Sequence, residues 1–171
     1  MTGVVIRPAA PGDAAALVAL GREVAAEPEG WLLTASDWRS LAEERRYLRL
    51  LRRHQDAAVF VAEAAEGIVA RLSVSRDAHP ASGHVADLGL MVAADQRRRG
   101  IGTALLEQAV RWAEERGVRK LELHVFPHNR AALALYEGFG FRREGHRREH
   151  YRRSDGTFVD AILLAYDVPA G

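Results

Sequence analysis

Arg97-Arg98-Arg99-Gly100-Ile101-Gly102-Thr103 is the stretch on which the reading of this chain turns. The apolar run before it, Leu88-Gly89-Leu90-Met91-Val92, predicts a strand. The segment after it, Ala104-Leu105-Leu106-Glu107-Gln108-Ala109-Val110-Arg111-Trp112, predicts an amphipathic helix. A basic glycine-containing turn between strand and helix leaves backbone N–H groups unpaired at the helix N-terminus, where the helix dipole favours an anion. Gly100 and Gly102 let a phosphate approach the backbone with no Cβ in the way. The arginines add charge-assisted hydrogen bonds. The segment therefore predicts a site for a phosphate or pyrophosphate.

It is not a P-loop, because no Gly-Lys-Ser/Thr follows at that motif's spacing. It is not the dinucleotide fingerprint, which needs three glycines in an early βαβ unit. A second block lies downstream: Leu121-Glu122-Leu123-His124-Val125-Phe126-Pro127-His128-Asn129-Arg130-Ala131-Ala132-Leu133-Ala134-Leu135-Tyr136-Glu137-Gly138-Phe139-Gly140-Phe141. It has a strand, an Asn, an Ala-rich helix, a Tyr and a Gly-Phe ending. The two blocks in this order resemble the GNAT N-acetyltransferases, with Arg97-x-x-Gly100-x-Gly102 matching their acetyl-CoA pyrophosphate loop. The resemblance runs from about Val85 to Val168 and is strongest from Leu90 to Phe141. The first third of the chain carries no diagnostic motif.

Composition sets wide limits. The chain of 171 residues suits one domain with a proper core, and 48% hydrophobic and 27% charged residues are the balance of a soluble globular protein. A formal net charge of +1 gives no global field toward nucleic acid or an anionic membrane. The absence of cysteine excludes disulfides, a thiol nucleophile and zinc–thiolate sites. The first residues lack a signal-peptide pattern, and no apolar stretch approaches the roughly 20 residues of a membrane helix. A cytoplasmic protein is expected.

Val4-Val5-Ile6-Arg7 predicts a first strand. Asp13 is the expected N-cap of a helix through Leu17, Leu20 and Val24. Ser36 or Asp37 is the expected cap of a second helix running through Trp38, Leu41, Tyr47 and Leu51 to about His54, its polar face dense in Arg and Glu. Ala57–Glu63 and Ile68–Val74 predict a strand pair. His84–Val92 is the strand feeding the glycine turn. Ile101 to about Arg116 is the next helix, ended by Gly117. Lys120–Phe126 is a strand, Asn129 caps a helix through Tyr136, Phe139 opens a strand, and Phe158–Val168 is the last one after a turn at Ser154-Asp155-Gly156. This is a single mixed α/β (α+β) domain over residues 1–171. The resemblance implies a mostly antiparallel sheet, splayed between the strand before the glycine turn and the next strand, with helices on both faces.

The resemblance also implies a reaction: direct transfer of an acetyl group from acetyl-CoA to a primary amine. In such proteins Arg97, Arg98, Arg99, Gly100, Ile101, Gly102 and Thr103 hold the pyrophosphate. The backbone of Leu90-Met91-Val92 pairs with the pantetheine arm. A bulge there splays the strand and frees an N–H for the thioester oxygen, an oxyanion hole worth about 3 kcal/mol. Tyr136 matches the tyrosine that protonates the departing thiolate. It lies two turns from Asn129 on the same helix face, and Asn129 both caps that helix and contacts the CoA arm. A tyrosine pKa of about 10 suits donation to a thiolate near about 8.5.

Two candidates stand for general base. His124 occupies the position of a glutamate in some protein N-terminal acetyltransferases of the family and shares a strand face with Glu122 and Phe126. Asp87 lies on the strand before the glycine turn. A structurally paired polar side chain is the plain alternative for each, and relatives also use water chains. The pairs His124/His128 and His146/His150 lack a carboxylate at metal-motif spacing, so no metal is expected. The basic run Arg142–Arg153 reads as a solvated hairpin before a nucleic-acid surface. Glu27, Glu29 and Trp31, in the loop between the first two helices, either suit a cationic amine or form an ordinary polar loop anchored by the tryptophan. The expected acceptor is a small-molecule amine. The rivals are a protein N-terminal or lysine acetyltransferase and a noncatalytic acyl-CoA-binding regulator. Homodimers are common in the family.

Overall fold

The computed structural model describes residues 3–32 and 39–169. Its elements are β1 (Val5–Pro8), α1 (Ala14–Ala25), α2 (Leu41–Leu51), β2 (Ala57–Ala64), β3 (Gly67–Arg76), β4 (Val85–Val92), α3 (Ile101–Glu115), β5 (Lys120–Val125), α4 (Arg130–Phe139), β6 (Arg142–Arg152) and β7 (Phe158–Asp167). The seven strands form one sheet in the order β1-β2-β3-β4-β5-β7-β6. Every neighbouring pair is antiparallel except β4 and β5, which are parallel. The chain is thus the mixed α+β domain that the motif order predicts.

Strand alternation sorts the core onto the two faces. Phe60, Leu72, Val74, Leu88, Leu121, Leu123 and Leu164 pack with Ile101, Leu105, Leu106 and Trp112 of α3 and Leu133 and Tyr136 of α4. On the opposite face, Val59 and Val61 of β2 meet Ala14 and Leu17 of α1 and Leu48 of α2. Leu20 and Val24 of α1 reach Met91 of β4. Among the described residues no helix is long and apolar enough to cross a membrane.

β4 and β5 touch only at Val85–Lys120, Ala86–Leu121 and Asp87–Glu122. β4 then continues to Val92 and β5 to Val125 without pairing, so the sheet parts down its middle. The expected bulge does not cause this in the ladder on the other side. β3 and β4 stay in unbroken register from Arg76–Ala86 to Ala70–Val92. The pairing of β4 with β5 ends at Asp87 and Glu122.

Several local expectations are corrected. Asp13 immediately precedes α1 but makes no side-chain cap. Its carboxylate accepts from the Ala10 N–H at 2.7 Å and pairs with Arg7, closing a 3-10 turn instead. The N-cap of α2 is Ser40, whose hydroxyl accepts from Glu43 N–H while the Glu43 carboxylate reaches back to Ser40 N–H, a capping box. Ser36, Asp37 and Trp38 lie outside the described residues. Glu44 does not belong to a polar face. It is fully buried, 3.4 Å from the Arg71 guanidinium and 3.2 Å from that of Arg39, because a buried carboxylate needs a cation. α4 runs past Tyr136 to Phe139 and stops at Gly140, whose φ of 119° only glycine adopts easily. The basic run is one long edge strand, β6.

Leu121 is fully buried where β4 and β5 still touch. Leu121→Ala is expected to lower unfolding free energy by about 2–5 kcal/mol, read by urea denaturation. Val5→Ala, at a site 59% exposed on the edge strand β1, is expected to fall within about 0.5 kcal/mol of the parent.

Candidate active site

The parted strands frame a cavity of about 530 Å³. Its walls include Leu88–Met91 of β4, Leu123, His124 and Val125 of β5, Asn129 and Tyr136, and Trp31 and Tyr151 from either flank. The structure brings Leu90, Met91, His124, Asn129 and Tyr136 together there, as the sequence predicts. It does not bring Asp87, which is exposed at the closed end of the split opposite Glu122 and is absent from the cavity lining. The atoms crowding its carboxyl, and next the facing Glu122 charge, push its pKa up.

From Val92 the chain passes through a 3-10 turn at Ala94–Gln96 to the N-terminus of α3. Gly100 holds the N-cap position at φ 80°, and no side chain caps this helix. Arg98 has φ 61°. The left-handed residues aim successive N–H groups outward, and the first helical N–H groups have no acceptor within the helix. This is a suitable cradle for an anionic phosphate group. Arg98, Arg99 and Thr103 are exposed around it, with Arg99 also donating to Gln96 Oε1. Ile101 is buried in the core.

Two motif positions serve the fold. The Arg97 side chain turns to the segment that follows α1. Its Nε donates to Val92 O at 3.0 Å, and its two terminal nitrogens grip the Glu27 carboxylate, one at 2.7 Å. Gly102 is a packing residue, because a Cβ there would lie 2.8 Å from Leu135 Cδ2 of α4. Backbone dihedrals and tertiary contacts decide these roles, so the motif alone could not reveal them.

Asn129 Oδ1 accepts from Ala132 N–H at 3.1 Å, the expected cap of α4. The cap fixes the helix start and thereby the approach of Tyr136 to the cavity. Tyr136 is 5% exposed, packs edge-on against Phe141, and its hydroxyl has no hydrogen-bond partner among the described residues. Burial pushes its pKa well up, so the phenol stays protonated.

Across the cavity, His124 Nδ1 lies 2.6 Å from the Tyr151 hydroxyl. Burial first, and then the charges of Arg147 and His150, lower the His124 pKa, with Asp87 and Glu122 opposing. Tyr151 is the site residue that sequence reasoning missed. It sits in a basic run whose composition announces a solvated strand, and only the sheet order β5-β7-β6 carries it over β5.

One end of the cleft is fastened. Arg153 Nη2 donates to Gly30 O at 2.9 Å, and His128 Nε2 donates to Glu29 O at 2.9 Å. Trp31 stacks on His128 at 5.5 Å, and His128 on Phe126 at 5.7 Å. Glu27 is not free to receive a cationic amine: it is held by Arg97 and by Trp31 Nε1 at 2.8 Å. Residues 27–31 are therefore an anchored polar segment. No cluster of three or more potential metal ligands occurs among the described residues.

The Arg97 hydrogen bond, as the largest cause, holds the Glu27 carboxyl below its ordinary value of 4.5. A depressed native pKa stabilises the fold above the unfolded value, and that stability is lost as pH falls through the native one. Glu27→Gln is expected to melt lower at pH 7, with the gap to the parent closing below about pH 4. Thermal unfolding across pH 3–8 checks this.

Comparison with known proteins agrees with this geometry. The family model for the acetyltransferase (GNAT) family matches residues 24–141. The [ribosomal protein bS18]-alanine N-acetyltransferase of Escherichia coli (strain K12) is 45% identical over 74 residues, 43% of this chain and 49% of that protein. The L-amino acid N-acetyltransferase AaaT of the same organism is 31% identical over 99 residues, 57% of this chain and 60% of that one. The chain spans about half the length of the first of these curated relatives and somewhat more of the second. Among solved structures, an acetyltransferase of the GNAT family from Streptococcus pneumoniae superimposes with a TM-score of 0.87 at 27% identity, over 97% of this chain and 99% of that one. With the split sheet, the uncapped glycine turn and a family model covering most of its length, the chain belongs to the acetyltransferase (GNAT) family.

Proposed function

We propose that this chain is an acetyl-CoA-dependent N-acetyltransferase that moves the acetyl group directly onto a primary amine of a small molecule such as an amino acid, amine or antibiotic-like acceptor. One observation carries the reading. The cavity between the parted β4 and β5 is lined by Leu88–Met91, on the strand whose chain leads on to the uncapped N-terminus of α3. An extended ligand with amides at one end and phosphates at the other suits both halves, because the free strand edge offers N–H and C=O groups and the helix end offers N–H groups to an anion.

In this reading Leu90, Met91 and Val92 hold the pantetheine arm through their backbone. The N–H groups of Arg98, Arg99, Gly100, Ile101, Gly102 and Thr103 hold the pyrophosphate. Arg97 acts at one remove, fixing the strand end to the segment that follows α1 through Val92 and Glu27. Asn129 borders the arm. Bound acetyl-CoA supplies the activated thioester. His124, kept neutral by its lowered pKa, takes a proton from the acceptor ammonium, and Tyr136, kept protonated by burial, gives one to the leaving sulfur. Asp87, at the closed end of the split, acts on His124 only through its charge, which favours the protonated imidazole.

The fastened loop supports a small acceptor. Arg153 and His128 tie residues 29 and 30 to the final hairpin and the β5–α4 loop, and a cleft bordered in this way favours a small acceptor over a continuous peptide. The second reading, acetylation of a protein N-terminus, is favoured by the 45% identity to the bS18-alanine N-acetyltransferase. Calorimetric titration with acetyl-CoA, followed by thiol release against amines, amino acids and N-terminal peptides, tests both. Binding with release by small amines supports the first reading, and release by peptides alone moves it to the second. Binding without release for any acceptor favours a regulator, and no binding ends the proposal.

Tyr136→Phe is expected to keep the packing of the ring and the affinity for acetyl-CoA while lowering turnover about 10²–10⁴-fold, the range of lost general acid catalysis. Gly100→Asp is expected to weaken acetyl-CoA binding in the same calorimetric titration, because a side chain is strained at φ 80° and its carboxylate repels the pyrophosphate.

A further inference from the structure

β6 and β7 do not keep register. Arg147 pairs with Ala161 and Tyr151 with Val159, so Arg148, Glu149 and His150 face Asp160 alone. Glu149 takes φ 48°, and its N–H donates to Asp160 Oδ1 at 2.7 Å, while Asp160 Oδ2 meets His146 Nε2 at 2.7 Å. A stapled bulge of this kind re-aims the residues that follow it. Here it sends Tyr151 over β5, with its hydroxyl 2.6 Å from His124 Nδ1 and its ring edge-on to the imidazole at 5.8 Å. Both side chains line the cavity.

We propose that Tyr151 is a positioning residue for His124: its oxygen accepts a hydrogen bond from Nδ1–H, so that the basic lone pair stands on Nε2 and receives the proton of the acceptor ammonium. This deepens the acetyl-transfer reading above and rests on it. A neutral imidazole carries one hydrogen. Nδ1 is engaged with Tyr151, so Nε2 is the nitrogen left for an incoming proton. The opposite tautomer, with the phenol donating to Nδ1, leaves Nε2 carrying a hydrogen and unable to accept. In the proton step an ammonium N–H bond breaks, an Nε2–H bond forms, and the electron pair freed on nitrogen attacks the thioester. The imidazolium later returns its proton from Nε2 to water. Through both charge states the Nδ1–H still points at the Tyr151 oxygen, so nothing rearranges.

The surroundings make that support matter. Arg147 and His150 on β6 oppose a charge on His124, while Asp87 on β4 and Glu122 on β5 favour it. Burial keeps Tyr151 a neutral phenol, with Arg147 and Asp87 pulling its pKa in opposite directions. Ligand histidines oriented through the second ring nitrogen follow the same logic, and loss of the orienting partner there lowers activity about 10–100-fold.

The test begins with nitrogen NMR of the full-length protein, with His124→Gln assigning the signal among the seven histidines. The expected pattern in the neutral form is hydrogen on Nδ1 and none on Nε2, shifting toward Nε2–H in Tyr151→Phe. Hydrogen on Nε2 in the parent overturns the proposal. Kinetically, Tyr151→Phe is expected to lower kcat about 10–100-fold with KM for acetyl-CoA unchanged, to shift the ascending limb of the kcat/KM pH profile, and to add nothing in the His124→Gln background. An equal loss in both backgrounds overturns it. The tautomer is read without turnover, so an inactive protein with hydrogen on Nδ1 sinks the acetyl-transfer reading and leaves the placement standing.

Discussion

The parting of β4 and β5 is the constraint on which the rest of the molecule depends. Two strands that pair at three positions and then diverge expose backbone donors and acceptors inside the fold. Elsewhere a sheet would close this gap with more ladder. Here Leu88, Leu123 and Val125 pack beneath the split onto the α3 and α4 face, so the opening has a firm apolar floor. The strand edges stay apart because each is held from its outer side: β4 by an unbroken ladder to β3, and β5 by pairing with β7 along its whole length.

Around this opening the chain separates polar tasks by burial. Tyr136 sits on the helix side, deep and without a charged neighbour, where a phenol keeps its hydrogen. His124 and Tyr151 sit on the other side, half-buried, where the charges of Arg147, His150, Asp87 and Glu122 balance around an imidazole. Burial raises the pKa of the Tyr136 phenol and lowers that of the His124 imidazole, so the proposed proton donor and acceptor face one cavity in the states those roles need. Arg97 and Glu27 secure the strand end that lies between them, which explains why an arginine of the glycine motif points into the protein.

Much of this was legible in the chain. Apolar alternation, the glycine turn and the Asn129-to-Tyr136 helix predicted the element order, because each depends on residues close in sequence, while the splayed sheet was implied by the family resemblance. Reading failed where side chains meet partners from distant elements. Glu44 looked like part of an exposed charged face until Arg71, 27 positions away, gave it a buried partner. Glu27 was open to two readings, partner of an amine or part of a polar loop, and only the distant Arg97 decides for the second. Asp87 stood as one of two candidate bases, and only the strand pairing shows that it lies at the closed end of the split opposite Glu122, outside the cavity lining.

The sequence by itself determined the family, the glycine turn at the start of a helix and the presence of Tyr136, His124 and Asn129 on elements that converge. Those features follow from local periodicity, capping and glycine conformation. Only the tertiary structure decided that Tyr151 meets His124. That contact requires β6 to lie two strands from β5 and to carry three residues against the single Asp160 of β7. Strand order and register are set by long-range packing, which no local pattern in a run of arginines encodes.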